Sequence, residues 1–128
     1  MLHLLDTSVC VELIRGHSTR KSVLRTDECA ISVITAAELE VGVRRSSRPA
    51  EQRLVVESLL QLFGVLPLDV SAVRDYGEIR DTLEKKGTPI GPLDTLIAAH
   101  ARSLGATLIT GNVQEFKRVP GLKCLPWQ

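Results

Sequence analysis

Three carboxylates occur at the same kind of position, where an apolar run gives way to a helical pattern. Asp6 follows the apolar residues 2–5, Glu38 lies just inside the helix expected after a second apolar run, and Asp94 lies in the first turn of a later helix. The carboxyl ends of parallel strands form one edge of a sheet, and ligands bind there. We therefore expect these side chains to converge, and their like charges call for a cation. A divalent ion bound by carboxylate oxygens is the simplest compensation.

Polar residues near the same edge could assist such an ion. Ser8 follows Asp6 by two residues, and its hydroxyl could cap a helix or orient that carboxylate. Thr110 ends a later apolar run and is followed by Asn112 and Glu115. We expect Ser8 and Thr110 to position waters or substrate, and Asn112 or Glu115 to complete the metal site.

Each of these acids also has a purely structural explanation. Thr35–Glu38 and Asn112–Glu115 both fit the capping box, in which the third residue after the cap reaches back to the backbone N–H of the cap. Asp94 in a first helical turn complements the helix dipole, and Asp6 before Thr7 fits an Asx turn or a helix cap. Both explanations stay open for each residue. Only the convergence of several acids on one edge favours a functional site.

The elements that must position these groups alternate between strands and helices. Strands are predicted over residues 2–5, 30–34, 65–68, 107–109 and 122–125, and helices over residues 8–15, 18–26, 35–45, 49–63, 70–86 and 92–104. The apolar stripe of residues 70–86 is expected in the core. Nearly all-apolar strands that alternate with helices predict an α/β fold. We expect a doubly wound, three-layer α/β/α arrangement with a central, mainly parallel sheet of four to five strands.

Length and composition limit the classes of function. The 128 residues predict a single domain over residues 1–128, and a net charge of +1 excludes tight nucleic-acid binding by bulk charge alone. One Trp, one Tyr and two Phe are far fewer than the aromatic residues of base-stacking single-strand binders. Any contact with nucleic acid is therefore expected to be made in another way.

Other residue types favour a cytoplasmic protein with no membrane association. The three cysteines are odd in number and lie in apolar runs, which is typical of free thiols in a reducing compartment. No apolar run approaches the ~20 residues of a membrane span. The scattered histidines argue against zinc, and His100 is expected to be packed in the core. Most basic clusters fall at helix ends, so Lys117 and Arg118, which are close in sequence to the proposed site, are the better candidates for contact with nucleic acid.

Four segments together resemble a known family. They are Leu4–Ser8, Ser32–Gly42, Pro89–Ala101 and Leu108–Gly121, and they resemble PIN-domain ribonucleases of the VapC toxin type. Each motif is short, but together they follow the family's order over essentially the whole chain. The resemblance implies the PIN fold.

The resemblance also implies an activity and partners. It implies a Mg²⁺-dependent endoribonuclease, with Mn²⁺ as a substitute, that cleaves RNA, such as transfer RNA, to 5′-phosphate and 3′-hydroxyl products. Asp6, Glu38 and Asp94 match the family's three metal-site acids. A cognate VapB-type antitoxin would inhibit the enzyme in a toxin–antitoxin hetero-oligomer built on a homodimer, and operator DNA would be contacted only through that antitoxin.

The chain departs from the family pattern at three positions. Asn112 stands where many PIN domains have a fourth acid, Gly111 stands where Asn is common, and Ser8 stands where Asn often follows Asp-Thr. Two other classes fit less well. A haloacid-dehalogenase-like phosphatase needs a second Asp at position 8, and a receiver-like domain needs an acidic neighbour beside Asp6. A catalytically inactive PIN scaffold is opposed by the three intact acids.

Overall fold

The computed structural model describes residues 1–16 and 25–127. Its strands are β1 (His3–Leu5), β2 (Cys29–Ser32), β3 (Val65–Leu66), β4 (Thr107–Thr110) and β5 (Lys123–Pro126). Its helices are α1 (Thr7–Arg15), α2 (Val33–Arg45), α3 (Pro49–Phe63), α4 (Ser71–Lys85), α5 (Pro92–Leu104) and the short α6 (Val113–Phe116), with a 3-10 turn at Thr26–Glu28. The helix predicted over residues 18–26 lies almost wholly outside the described residues.

The five strands form one parallel sheet in the order β3-β2-β1-β4-β5. The chain therefore adds β2 and then β3 on one side of β1, and β4 and then β5 on the other side. The gap between the carboxyl ends of β1 and β4 is the point where ligands bind in open α/β sheets. The predicted α/β class and the mainly parallel sheet of four to five strands are confirmed.

Successive residues of β1 point to opposite faces of the sheet, and each face has its own core. Leu4 packs in a cluster with Ile79 of α4 and Ile97 of α5. Leu5 packs in a second cluster with Leu39 of α2 and with residues of α1 and α3. Helices thus cover both faces, which gives the predicted three layers.

The start of α2 differs from the prediction. The second strand ends at Ser32 and the helix begins at Val33, two residues before Thr35. The Ser32 hydroxyl accepts a hydrogen bond from the backbone N–H of Ile34 at 3.1 Å and so caps the helix. The prediction of a capping box over Thr35–Glu38 is therefore wrong. Val33 and Ile34 are β-branched and were predicted to continue the strand, but the cap at Ser32 starts the helix before them.

The apolar stripe predicted for residues 70–86 is only partly in the core. Ile79 and Leu83 of α4 are buried, but the side chain of Val73 is 68% exposed. The helix packs against α5, and the exposed side chain of Val73 contributes little to the core. The remaining strand and helix boundaries agree with the predictions to within two residues, except that α6 was expected only as a capping pattern.

Among the helices of residues 1–16 and 25–127, none is long and apolar enough to cross a membrane.

Candidate active site

Asp6 lies at the carboxyl end of β1 and is tied directly to β4. Its backbone N–H donates to the carbonyl of Ile109 at 3.0 Å. One carboxylate oxygen accepts hydrogen bonds from the Ser8 hydroxyl at 2.6 Å and from the backbone N–H of Val9 at 3.0 Å. The other accepts from the hydroxyl of Thr110. The side chain is buried and caps α1, so the structural explanation and the convergence both hold for this residue.

Glu38 approaches the same crevice from α2, and a hydroxyl of α1 holds it there. The Thr7 hydroxyl donates to a Glu38 carboxylate oxygen at 2.6 Å and lies 3.1 Å from the hydroxyl of Thr35. Sequence reasoning missed the roles of Thr7 and Thr35. The signal was their spacing, since Thr7 adjoins the strand-end acid and Thr35 precedes Glu38 by three residues on one helix face.

Asp94, in the first turn of α5, lies beside other acids. Its pKa is raised from 3.8 to about 6, first by burial and then, in decreasing order, by the charge of Glu115, a hydrogen bond with Glu115 and the charges of Glu38 and Asp6. Four elements therefore bring their carboxylates into one electrostatic cluster, as the sequence predicted. Glu115 is part of this group and approaches from α6.

The loop after β4 closes the crevice through its backbone. The N–H of Gly111 donates to the Ser8 hydroxyl at 3.0 Å, and the N–H of Asn112 donates to the Thr110 hydroxyl at 2.9 Å. A Cβ atom at Gly111 would lie 3.2 Å from the Ser8 oxygen, so the small residue allows this close approach. The Asn112 side chain makes no capping hydrogen bond within the described α6, so the capping box expected over residues 112–115 is incomplete.

His100 is a packed histidine, while Lys117 and Arg118 near the candidate site are exposed. His100 is buried, its Nδ1 lies 2.8 Å from the Ser32 hydroxyl, and burial lowers its pKa, so it is a packed histidine as predicted. It links α5, which carries Asp94, to the cap of α2, which carries Glu38. Lys117 and Arg118 are exposed at the end of α6, and Arg118 donates to the carbonyl of Pro89 at 3.3 Å.

The donor set suits a hard divalent cation, although the side chains would have to move to surround it. All of the clustered groups are oxygen donors, and their like charges need compensation. In the described part of the chain, no group of three or more His, Cys, Asp or Glu side chains is arranged to hold a metal ion. Asp6 accepts hydrogen bonds from Ser8 and Thr110, and Glu38 accepts one from Thr7.

Comparison with known proteins supports this picture. The pattern of the PIN-domain family matches residues 3–122. The chain is 39% identical over 127 residues to the tRNA(fMet)-specific endonuclease VapC of Salmonella typhimurium, covering 97% of this chain and 96% of the relative. It is 36% identical over 132 residues to Ribonuclease VapC2 of Rickettsia felis, covering 99% and 98%.

Solved structures show the same fold over the full length. VapBC from Salmonella typhimurium bound to DNA matches with a TM-score of 0.92 and 37% identity, covering 100% of both chains. VapBC2 from Rickettsia felis bound to a promoter DNA fragment matches with a TM-score of 0.90 and 33% identity, again covering 100% of both. PIN-domain nucleases are metal-dependent. Three findings agree: acids lie together at the carboxyl edge of a parallel sheet, the family pattern matches, and the relatives match over their full length. The chain therefore belongs to the PIN-domain family, as a ribonuclease of the VapC toxin type.

Proposed function

We propose that this ribonuclease hydrolyses phosphodiester bonds of structured RNA, transfer RNA in particular, with Mg²⁺ as its ion and Mn²⁺ as a substitute. We further propose that Asp6, Glu38 and Asp94 bind that ion. The observation that carries the proposal is the convergence of carboxylates from four separate elements on the gap between β1 and β4. Relatives named as a tRNA(fMet)-specific endonuclease support transfer RNA as the substrate class.

A bound divalent ion would supply an activated water, neutralise the phosphate charge and stabilise the leaving oxygen. The chain's own residues do the positioning. Ser8 and Thr110 hold the carboxylate of Asp6 in one orientation, so that the group is pre-organised before substrate arrives. Asp94, with a pKa of about 6, is mostly ionised at neutral pH and can bind a cation.

Glu38 has two alternative proposed roles, as a ligand of the ion or as the general base. Thr7 donates a hydrogen bond to one oxygen of Glu38, which leaves the other oxygen either to bind the ion or to accept a proton from the attacking water. Glu115 is the better candidate than Asn112 to complete the site, because its carboxylate interacts with Asp94. The Asn112 contribution runs through its backbone N–H.

The proposed partner is a VapB-type antitoxin that inhibits the enzyme. The matched structures are VapBC complexes, and two of them are bound to DNA. We infer that this chain forms a homodimer that assembles with its antitoxin, and that it reaches operator DNA only through the antitoxin. Its place of action is the cytoplasm, where transfer RNA is found.

The test compares Asp94→Asn with Asp81→Asn in the cleavage of an initiator tRNA transcript. Asp81 is an exposed acid of α4 paired with Lys85, so its variant controls for loss of a negative charge. We expect Asp94→Asn to lose at least about 100-fold in rate and Asp81→Asn to match the wild type. Chelation of divalent ions should stop the wild type, and Mg²⁺ should restore it. Equal cleavage by wild type and Asp94→Asn would contradict the proposal.

A further inference from the structure

A cleft of 390 Å³ opens beside the candidate site, where α1 faces the ends of β4 and β5. Pockets that take small ligands have volumes of ~300–1,000 Å³. One wall is shared with the surroundings of Asp6, because Ser8 and Thr110 both donate hydrogen bonds to that carboxylate. The other walls include Glu12, Asn112, Pro126 and Trp127.

The backbone of Trp127 is bound to the carboxyl edge of the sheet, where the candidate active site lies. Its backbone N–H donates to the carbonyl of Thr110 at 3.2 Å, directly after β5 ends. Its side chain packs against the core cluster that contains Val9 and Ile109, and it is partly buried. The ring is therefore an aromatic wall of the cleft, whose backbone is bound by the residue that also holds Asp6.

The chemistry of the cleft suits a nucleobase and disfavours a phosphate. None of the described side chains that line it is Lys or Arg, while Glu12 adds a negative charge. A phosphate would be repelled there. An uncharged base offers a flat face to an aromatic ring and N–H edges to a carboxylate or an amide, which Glu12 and Asn112 provide.

We propose that this cleft binds the base of a nucleotide adjacent to the scissile phosphate, stacked on Trp127 and hydrogen-bonded by Glu12 or Asn112. The inference rests on the proposed function, because it requires an RNA strand that crosses Asp6. The low aromatic content of the sequence argued against binding along an extended single strand. One aromatic residue is enough for one base.

The first test pairs a change in the protein with a change in the substrate. Wild type, Trp127→Ala and Trp127→Phe are compared on a stem-loop oligoribonucleotide that contains the mapped cut, with either the normal bases or an abasic residue on one side of it. Loss of one base–aromatic stack should raise the KM of Trp127→Ala by about 10- to 100-fold. Trp127→Phe should stay close to wild type. Leu125→Ala, which removes an exposed apolar side chain of β5 outside the cleft, is the matched control.

The abasic substrate identifies the partner of the ring. An abasic residue at the stacked position should raise the KM of the wild type by the same factor and should not raise that of Trp127→Ala further. The effect of the abasic residue on the KM of the wild type can be measured even where Trp127→Ala fails to fold, and an unchanged KM would overturn the inference.

A second measurement needs no cleavage. Trp127 is the only tryptophan of the chain, so its fluorescence reports on this cleft alone. In the Asp94→Asn variant, which is expected to cleave at least about 100-fold more slowly, the intact oligoribonucleotide should quench the fluorescence, and the abasic one should not.

The outcomes separate the two proposals. Failure of the wild type to cleave any RNA would show that the proposed function is wrong. Two results would overturn the base site alone while the wild type still cleaves RNA. One is that Trp127→Ala and removal of the base each raise the KM by a separate factor and the two factors multiply when combined. The other is that the intact oligoribonucleotide leaves the fluorescence of Trp127 unchanged. Unchanged cleavage by Trp127→Ala together with weaker inhibition by the antitoxin would assign the cleft to the antitoxin and also overturn the inference.

Discussion

Asp6 and Asp94 lie in one crevice but have opposite surroundings. Asp6 is 3% exposed and accepts hydrogen bonds from two hydroxyls and one backbone N–H. Asp94 is half-buried, and the groups that shift its pKa are Glu115, Glu38 and Asp6, all of them acids. One carboxylate is thus compensated by the fold, while the other is left with repulsion that only a cation or a proton relieves.

The difference shows how one fold can serve both stability and catalysis. Asp6 follows β1, caps α1 with its side chain and bonds to β4 through its backbone N–H, so this acid is part of the scaffold. The first turn of α5 holds an acid at a cost to the metal-free fold, which is typical of functional positions. Substitutions at the two positions should therefore affect stability in opposite directions.

The largest effect is expected for Asp6→Ala. It removes the cap of α1 and leaves Thr110 and Ser8 without their acceptor, so we expect the free energy of unfolding to fall by about 2–4 kcal/mol. RNA cleavage should fall at least about 1,000-fold. Urea unfolding and a cleavage assay measure the two effects.

Asp6→Asn and Asp27→Ala are the controls for that prediction. Asn caps helices about as well as Asp, so Asp6→Asn should keep more stability and still lose cleavage. Asp27 is an exposed acid that pairs with Arg25, and its loss should change stability by less than about 1 kcal/mol. An Asp6→Ala protein as stable as the wild type would contradict the scaffold role.

Asp94→Asn should separate the two regions most clearly. It removes a charge that burial and the repulsion of Glu115 and Glu38 disfavour, so the metal-free protein should gain about 1 kcal/mol of stability at pH 7.5, a value reduced for solvent screening at a half-buried group. Thermal unfolding in the presence of a chelator measures the gain. A loss of stability would show that Asp94 is compensated as Asp6 is.

The pH dependence of stability sharpens the same contrast. The pKa of Asp94 is raised from 3.8 to about 6, so between these values the folded metal-free protein retains a proton that the unfolded chain has lost. The stability contributed by this group is therefore greatest at low pH and falls as pH rises from about 4 to about 6. Chelator-treated wild type should show this fall in urea unfolding, and Asp94→Asn should show less of it. Identical profiles for the two proteins would refute the assignment.

The smallest effect is expected for Thr7→Val. It removes the hydroxyl that holds Glu38 at 2.6 Å while keeping a β-branched side chain of similar volume. We expect cleavage to fall about 10-fold through kcat, with a change in stability of about 1 kcal/mol or less. Thr7→Ser keeps the hydroxyl and should restore most of the rate. Equal losses in both variants would mean that packing, and not the hydrogen bond, is what matters.

Local patterns account for much of what was predicted. Gly16 and Gly105 end α1 and α5 in the left-handed conformation that glycine adopts readily, and Pro49 and Pro92 stand at helix starts. The alternation of apolar strands with helices was enough for the α/β class. The acids at strand ends followed from the same pattern, because the ends of parallel strands share an edge.

Long-range contacts account for the errors and omissions. The start of α2 is an exception, because the Ser32 hydroxyl caps the helix through Ile34, two residues away, and its contact with His100, 68 residues along the chain, is additional. The hold of Thr7 on Glu38 joins residues 31 apart, and the apolar Val73 is exposed because α4 buries its other face. The spacing of residues along the chain does not indicate which distant residues come into contact.

Periodicity, caps and breakers along the chain were sufficient for the elements, their order and the edge at which the acids meet, because these follow from interactions within a few residues. The tertiary structure alone decided which carboxylate is compensated and which is repelled. That outcome depends on the hydroxyls, amides and charges brought within hydrogen-bonding distance by folding, and Asp6 and Asp94 are the same residue type with different neighbours.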